Sequence, residues 1–176
     1  MTFKLLSTGN PKTLKGEKQG YMTYILHLSP SDVSGAGNTC PKATAGCKAA
    51  CLNTAGRGGM YKRGETTNAI QKARIRKTVQ FFFDRDSFMT DLASDINKAI
   101  KQAERKGLTP VFRLNGTSDL SFEKYAVPGY AGMNIFEVFK DVQFYLESVA
   151  NTYKGVYGGV VISQQILKQE LDNLVV

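Results

Sequence analysis

Apolar residues run almost unbroken from Tyr21 to Leu28, with weak alternation, until Ser29-Pro30 ends the run. A β-branched, aromatic and aliphatic stretch of this length predicts a largely buried strand. Ahead of it, Met1 to Gly20 is polar and punctuated by Gly9-Asn10-Pro11, Gly16 and Gly20, which predicts an arm or loop with a turn at Asn10-Pro11. Ser31 to Gly64 follows neither the helical nor the strand period and is rich in glycine. It reads as a long loop with at most one helical turn around Cys47 to Leu52, and loops of that length inside a compact domain are usually functional.

Periodicity returns at Thr66 to Phe83, where Ile70, Ala73, Val79, Phe82 and Phe83 recur at roughly helical spacing with the basic residues mainly opposite, predicting an amphipathic helix. A second helix follows, capped by Asp86 or Ser87, burying Leu92, Ile96, Ile100 and Ala103, and stopped by Lys106-Gly107. Thr109 to Leu114 reads as a short strand running into Asn115-Gly-Thr-Ser-Asp119, Met133 to Phe139 as a short helix, and Val142 to Leu146 as a third strand. In the tail, Tyr157 to Ser163 has strand character, and Ser163 caps an amphipathic helix through Ile166, Leu167, Leu171 and Leu174. Strands alternating with helices argue for parallel pairing. The expected fold is therefore one α/β domain over residues 1–176, with an open parallel or mixed sheet or a partial β/α barrel, and a cysteine-bearing loop at about 31–64 after the first strand.

Composition narrows the function classes. The chain of 176 residues is long enough for an ordinary core without disulfides. No leader-like segment and no apolar run of membrane-spanning length is seen, so a soluble intracellular protein without membrane association is expected. The net charge of +8 is uneven: the chain after Asp119 is slightly acidic, whereas Arg57, Lys62, Arg63, Lys72, Arg74, Arg76 and Lys77 are opposed only by Glu65. The basic segment 57–77 fits nucleic acid, an anionic small molecule, or compensation of a negatively charged metal centre. No Cys/His finger or RNP-like aromatic signature accompanies it.

The only cysteines are Cys40, Cys47 and Cys51, spaced C-x6-C-x3-C in a Gly/Ala-rich stretch. Three thiols within a dozen residues fit a metal centre better than a disulfide framework, which pairs an even number. A [4Fe-4S] cluster is usually held by four thiolates, so three leave one iron to water, substrate or another side chain. Zinc is the alternative metal, although structural zinc loops usually space their ligands C-x2-4-C. Packing as buried thiols is the plain alternative, against which stand Pro41, Lys42, Thr44, Gly46 and Lys48.

A second polar cluster lies at the predicted strand end. Arg113, Asn115, Ser118 and Asp119, with Thr117 and Ser121, gather a cation, an amide, hydroxyls and a carboxylate where an α/β sheet opens its ligand crevice. Asp119 has the chemistry of a base or of a ligand to the open iron, and Arg113 that of a carboxylate or phosphate clamp. The structural alternative is a turn at Asn115-Gly116 and a helix cap at Ser118 or Asp119. The single histidine, His27, sits among apolar neighbours and is read either as a hydrogen-bonded core residue or as a fourth ligand. Gly56-Arg-Gly-Gly59 has the composition of an anion nest without P-loop or Rossmann spacing.

Four stretches together, Asn10-Pro-Lys-Thr-Leu-Lys-Gly-Glu17, Ser34-Gly to Cys40-Pro, Gly46-Cys-Lys-Ala-Ala-Cys to Gly59, and Arg113-Leu-Asn-Gly-Thr-Ser-Asp119, resemble the bacteriophage gene product 88 family, up to about Phe144. The resemblance implies a phage origin, hence the cytoplasm of an infected bacterial host, and carries no activity with it. More loosely, a three-cysteine loop after the first strand is similar to that of radical SAM proteins and would imply SAM as cofactor, but the spacing departs from their usual C-x3-C-x2-C. Three functions are thus expected to compete: a hydrolase- or lyase-like enzyme using the open iron as a Lewis acid in hydrolysis or sulfur removal on a small-molecule substrate; a radical SAM-like enzyme; and a structural or redox-sensing metal module binding nucleic acid.

Overall fold

A computed structural model of the chain describes residues 4–9 and 11–145. Four strands form one open sheet in the order β1 (Leu6–Ser7), β2 (Tyr21–Leu26), β3 (Thr109–Arg113) and β4 (Gln143–Phe144). β2, β3 and β4 run parallel and β1 is antiparallel to β2, so the sheet is mixed and does not close into a barrel. Five α-helices complete the described chain: α1 (Pro11–Glu17), α2 (Ala45–Ala49), α3 (Ala69–Phe83), α4 (Arg85–Arg105) and α5 (Ile135–Val138). The predicted strand and helix of the tail lie outside the described residues.

The two main parallel strands fall where the pattern placed them, within a residue or two. The predicted third strand is β4, whose continuation is marked by the Tyr145 N–H donating to the Phe112 carbonyl at 2.9 Å. Between β2 and β3 the chain makes one crossover through the cysteine loop, α3 and α4, as parallel pairing requires. α4 buries Phe88, Met89, Leu92, Ala93, Ile96, Ala99 and Ala103, and packs them on β1 and β3. Its cap is Asp84, whose carboxylate accepts the Ser87 N–H at 3.3 Å, rather than Asp86 or Ser87. Gly107 ends it at φ +66, a left-handed conformation that suits glycine. Aromatic rings line the sheet centre: Tyr24 stacks on Phe112 at 5.4 Å and Phe144 lies tilted against Phe112 at 5.5 Å.

Two expectations are corrected. The N-terminal segment is no loose arm, because Leu5 and Leu6 are buried in the core and Pro11 opens a helix; proline's missing N–H costs nothing in a first turn. α3 does not bury its apolar stripe. Ile70, Val79 and Phe83 are exposed, Phe83 by 76%, while Gln71, Lys77, Thr78 and Phe81 are buried. The polar side of α3 faces inward because the loop it covers presents backbone carbonyls and hydroxyls that need partners.

Candidate functional site

The carboxyl ends of β2 and β3 lie side by side, and the chain leaves each of them into one of the two motifs singled out by sequence. From β2 it passes through His27, Leu28 and Ser29 towards Cys40. From β3 it enters Asn115 to Asp119. Gly116 N–H donates to the Leu26 carbonyl at 3.0 Å, and the Thr117 hydroxyl donates to the Leu28 carbonyl, so the loop after β3 lies along the end of β2. A Cβ at Gly116 would stand 2.5 Å from His27 Nδ1 and 2.7 Å from the Leu26 carbonyl oxygen. Only glycine permits this approach.

Thr39 knots the two motifs together. It is fully buried; its N–H donates to the Ser31 carbonyl at 3.0 Å and its hydroxyl to the Ser29 carbonyl at 2.6 Å. Its own carbonyl accepts the Asp119 N–H at 2.8 Å. Cys40 is the next residue, and its sulfur lies 3.9 Å from the Thr117 carbonyl oxygen. Residues nearly eighty positions apart thus share one corner of the molecule.

α3 fastens the rest of the cysteine loop. Asn68 caps it by accepting the Gln71 N–H at 3.0 Å, and its amide donates to the carbonyls of Arg57, Gly58 and Met60 at 3.3, 2.9 and 2.9 Å. Gln71 donates to the Gly58 carbonyl and to the Tyr61 hydroxyl. Arg74 donates to the backbone and side-chain oxygens of Asn53 at 2.9 and 2.8 Å. Thr78 accepts the Ser29 N–H at 2.8 Å. Sequence reading missed this buttress. The signal was Gln71, Arg74 and Thr78 at i, i+3 and i+7, a helical stripe of polar instead of apolar residues.

All three cysteines are free thiols of intermediate exposure. The loop holds more helix than the one turn expected around Cys47 to Leu52: α2, which contains Cys47 and which Thr44 caps by accepting the Cys47 N–H at 3.2 Å, is followed by 3-10 turns at Leu52–Thr54 and Gly56–Gly59. Cys51 begins the next turn, and its sulfur accepts the Asn53 N–H at 3.5 Å. Gly58 and Gly59 serve close packing, since a Cβ at Gly58 would meet the Asn53 carbonyl oxygen at 2.5 Å and one at Gly59 the Thr54 carbonyl oxygen, whereas Gly56 takes a positive φ of +55. Among the described residues, no three His, Cys, Asp or Glu side chains converge as ligands of a single ion. The ligands of a cubane stand further apart, each on its own iron.

The electrostatics of this corner are cationic. Burial, then the charges of Arg74, Lys77 and Arg113, pushes the His27 imidazole down to about 4, and its buried Nδ1 has no hydrogen-bond partner among the described residues. Burial lowers Arg74 as well, while the charge of Cys51 opposes that shift. Lys77 is pushed down to about 8, mainly by burial, and donates to the Leu5 carbonyl. Buried positive charge is costly unless an anion offsets it. Asp95 does so for Lys77; thiolates and sulfides would do so for Arg74, and N–H donation to a sulfur, as at Cys51, is a usual support for cluster ligands. The donor set and its surroundings thus fit a thiolate-held centre.

Of the predicted catalytic residues, Asn115 and Ser118 are committed to each other. The Ser118 hydroxyl and the Leu120 N–H donate to Asn115 Oδ1 at 3.0 and 3.2 Å, and Asn115 Nδ2 donates to the Leu120 carbonyl at 2.9 Å. Neither Ser118 nor Asp119 caps a helix; the next turn, Phe122–Lys124, starts after Ser121. Arg113 Nε donates to the Asn115 carbonyl at 3.3 Å. The Asp119 carboxylate makes no hydrogen bond or ion pair with a described residue. A cavity of about 350 Å³ lies elsewhere, between β1 and α4, lined by Leu6, Tyr24, Asp95 and Gln102 among others, and by none of the predicted site residues.

Fold and site define an α/β protein in which a cysteine loop and a polar strand-end loop meet at the carboxyl ends of parallel strands. The chain belongs to the Gene product 88 family, which it matches over residues 4–146. That membership makes it a bacteriophage-type protein, as its motifs implied. No curated protein and no solved structure matches it, and the likeness to radical SAM proteins gains no support. No helix among the described residues is long and apolar enough to cross a membrane.

Proposed function

We propose that the chain is a phage iron-sulfur protein in which Cys40, Cys47 and Cys51 hold a [4Fe-4S] cluster and one iron is left without protein sulfur. The observation that carries this reading is the Thr39 knot, which joins the first cysteine to the backbone of Asp119. When bound, such a cluster supplies a Lewis acid for hydrolytic or sulfur-removing chemistry on a small molecule.

The chain's own residues have distinct parts in this proposal. Asp119, with no described partner for its carboxylate, takes up a proton at its oxygen as general base. Arg113 holds a fixed positive charge at the end of β3 and orients an anionic group of the substrate. Asn115 and Ser118 hold the loop that presents Asp119. Arg74, bonded to Asn53 beside Cys51, offsets the negative charge of the sulfur ligands.

Anaerobic purification with iron, sulfide and zinc analysis tests the reading. Iron and sulfide in equal amounts, with visible absorbance, are expected in the unaltered chain; zinc without sulfide, or neither metal, would overturn it. Cys47→Ala should abolish cluster retention. Asp119→Ala should keep the iron and sulfide content and lose most turnover in a panel of esters, amides and thio compounds, by roughly 100-fold or more, the usual worth of a positioned base. Full loading of Cys47→Ala would sink the ligand assignment.

A further inference from the structure

Residues 40–77 contain nine lysines and arginines and one acidic residue, Glu65, a balance equal to the whole chain's +8. The rest of the sequence is therefore neutral overall. The structure divides the nine into two groups. Arg74 and Lys77 turn inward, Arg74 onto Asn53 of the cysteine loop and Lys77 onto the Leu5 carbonyl, whereas the other seven, among them Arg57, Lys62, Arg63 and Lys72, are exposed. Charge compensation accounts for the inward pair, Arg74 facing the charge of Cys51 and Lys77 that of Asp95. It does not account for seven cations in water, whose influence on a site in the fold is screened by solvent and salt.

These outer cations are not on a loose tail. Asn68, Gln71 and Arg74 clamp residues 53–61 to α3, so Arg57 stands on a fixed segment that runs directly into Lys62-Arg63, and Lys72 and Arg76 stand on α3 itself. Among them is an aromatic platform: Tyr61 is 43% exposed, follows Met60 at 69% and precedes Lys62-Arg63. The Gln71 amide donates to the Tyr61 hydroxyl at 2.7 Å, which holds the ring in place before anything stacks on it. Cations that track phosphates, combined with an exposed ring that accepts any base, are the recipe for binding single strands. An anionic bilayer is the weaker fit, because membrane-surface helices separate apolar and basic faces, and α3 places Lys72 and Arg76 on the same outer side as Val79 and Phe83.

We infer that the outer face of the cysteine loop and α3 binds single-stranded nucleic acid, with phosphates on the exposed lysines and arginines and a base stacked on Tyr61. This does not depend on the identity of the metal centre.

The test is fluorescence anisotropy of the full chain with labelled single-stranded DNA and RNA of about 16 nucleotides, the matching duplexes, and phosphatidylserine-containing vesicles. Single strands should bind more tightly than duplexes, with a log-log salt slope between about −3 and −5 if most of the seven cations engage. Lys62→Glu with Arg63→Glu should weaken binding roughly tenfold or more and flatten the slope by about 1.4. Tyr61→Ala should weaken it roughly 5- to 100-fold, and Tyr61→Phe should keep most of it, because the ring does the stacking. Lys98→Glu with Lys101→Glu, the same charge change on α4, should leave affinity unaltered; circular dichroism checks that every variant folds. Absence of oligonucleotide binding at low salt, binding to vesicles alone, equal preference for duplexes, or an equal loss in the α4 control would each overturn the proposal.

Discussion

His27 and Gly116 show how much one contact decides. The imidazole is held neutral well into the acid range, at about 4, by burial and by Arg74, Lys77 and Arg113, whereas an unfolded chain protonates it below about 6.5. Between those values the unfolded state binds the extra proton, so stability falls as pH falls through this window, by roughly 3 kcal/mol in all. Urea denaturation at pH 7 and pH 5 should show a loss from this residue of about 2 kcal/mol, absent in His27→Gln; an unchanged pH dependence in that variant would refute the assignment. Gly116→Ala forces a methyl group against the ring, 2.6 Å from Ile25 Cγ2 and 2.7 Å from a backbone oxygen. The carbonyl cannot swing aside, so a loss of about 1–3 kcal/mol is expected from the same measurement. Neither effect was legible in the sequence, where His27 had two readings and Gly116 looked like half of a turn.

At the scale of elements, α3 departs most from its pattern. Its length was readable and its buried face was not, because the face is chosen by what lies beneath. A loop of this kind offers carbonyls rather than methyl groups, and a buried carbonyl without a partner costs more than an exposed Val79. Asn68 concentrates that function. Asn68→Ala should remove the cap, worth about 1 kcal/mol, and also release three loop carbonyls. Asn68→Asp keeps the cap and replaces the amide donors with a carboxylate oxygen that repels the same carbonyls. Hydrogen exchange across residues 53–63 separates the two contributions: both variants should exchange faster there while β2 and β3 stay protected. Slow exchange in the loop of Asn68→Asp would mean that the amide does not clamp it. α4 behaved as its pattern required, since its Leu92, Ile96 and Ala103 stripe meets an apolar sheet.

For the whole molecule, the charge that appeared in sequence as a single basic segment splits into an inward pair, Arg74 and Lys77, and an outer group in water, and the oligonucleotide measurements test the outer group. The sequence by itself determined the α/β class, the two central parallel strands, the long helices and the grouping of three thiols, because periodicity and cysteine spacing are local and need no neighbour to be read. It also carried the family motifs that end close to the last described strand. Only the tertiary structure decided that β1 joins the sheet edge, that α3 turns its polar side inward, and that Cys40 and Asp119 meet at Thr39. Each of these rests on partners far apart in the chain, on hydrogen-bond satisfaction and on close backbone approach, which a one-dimensional pattern does not encode.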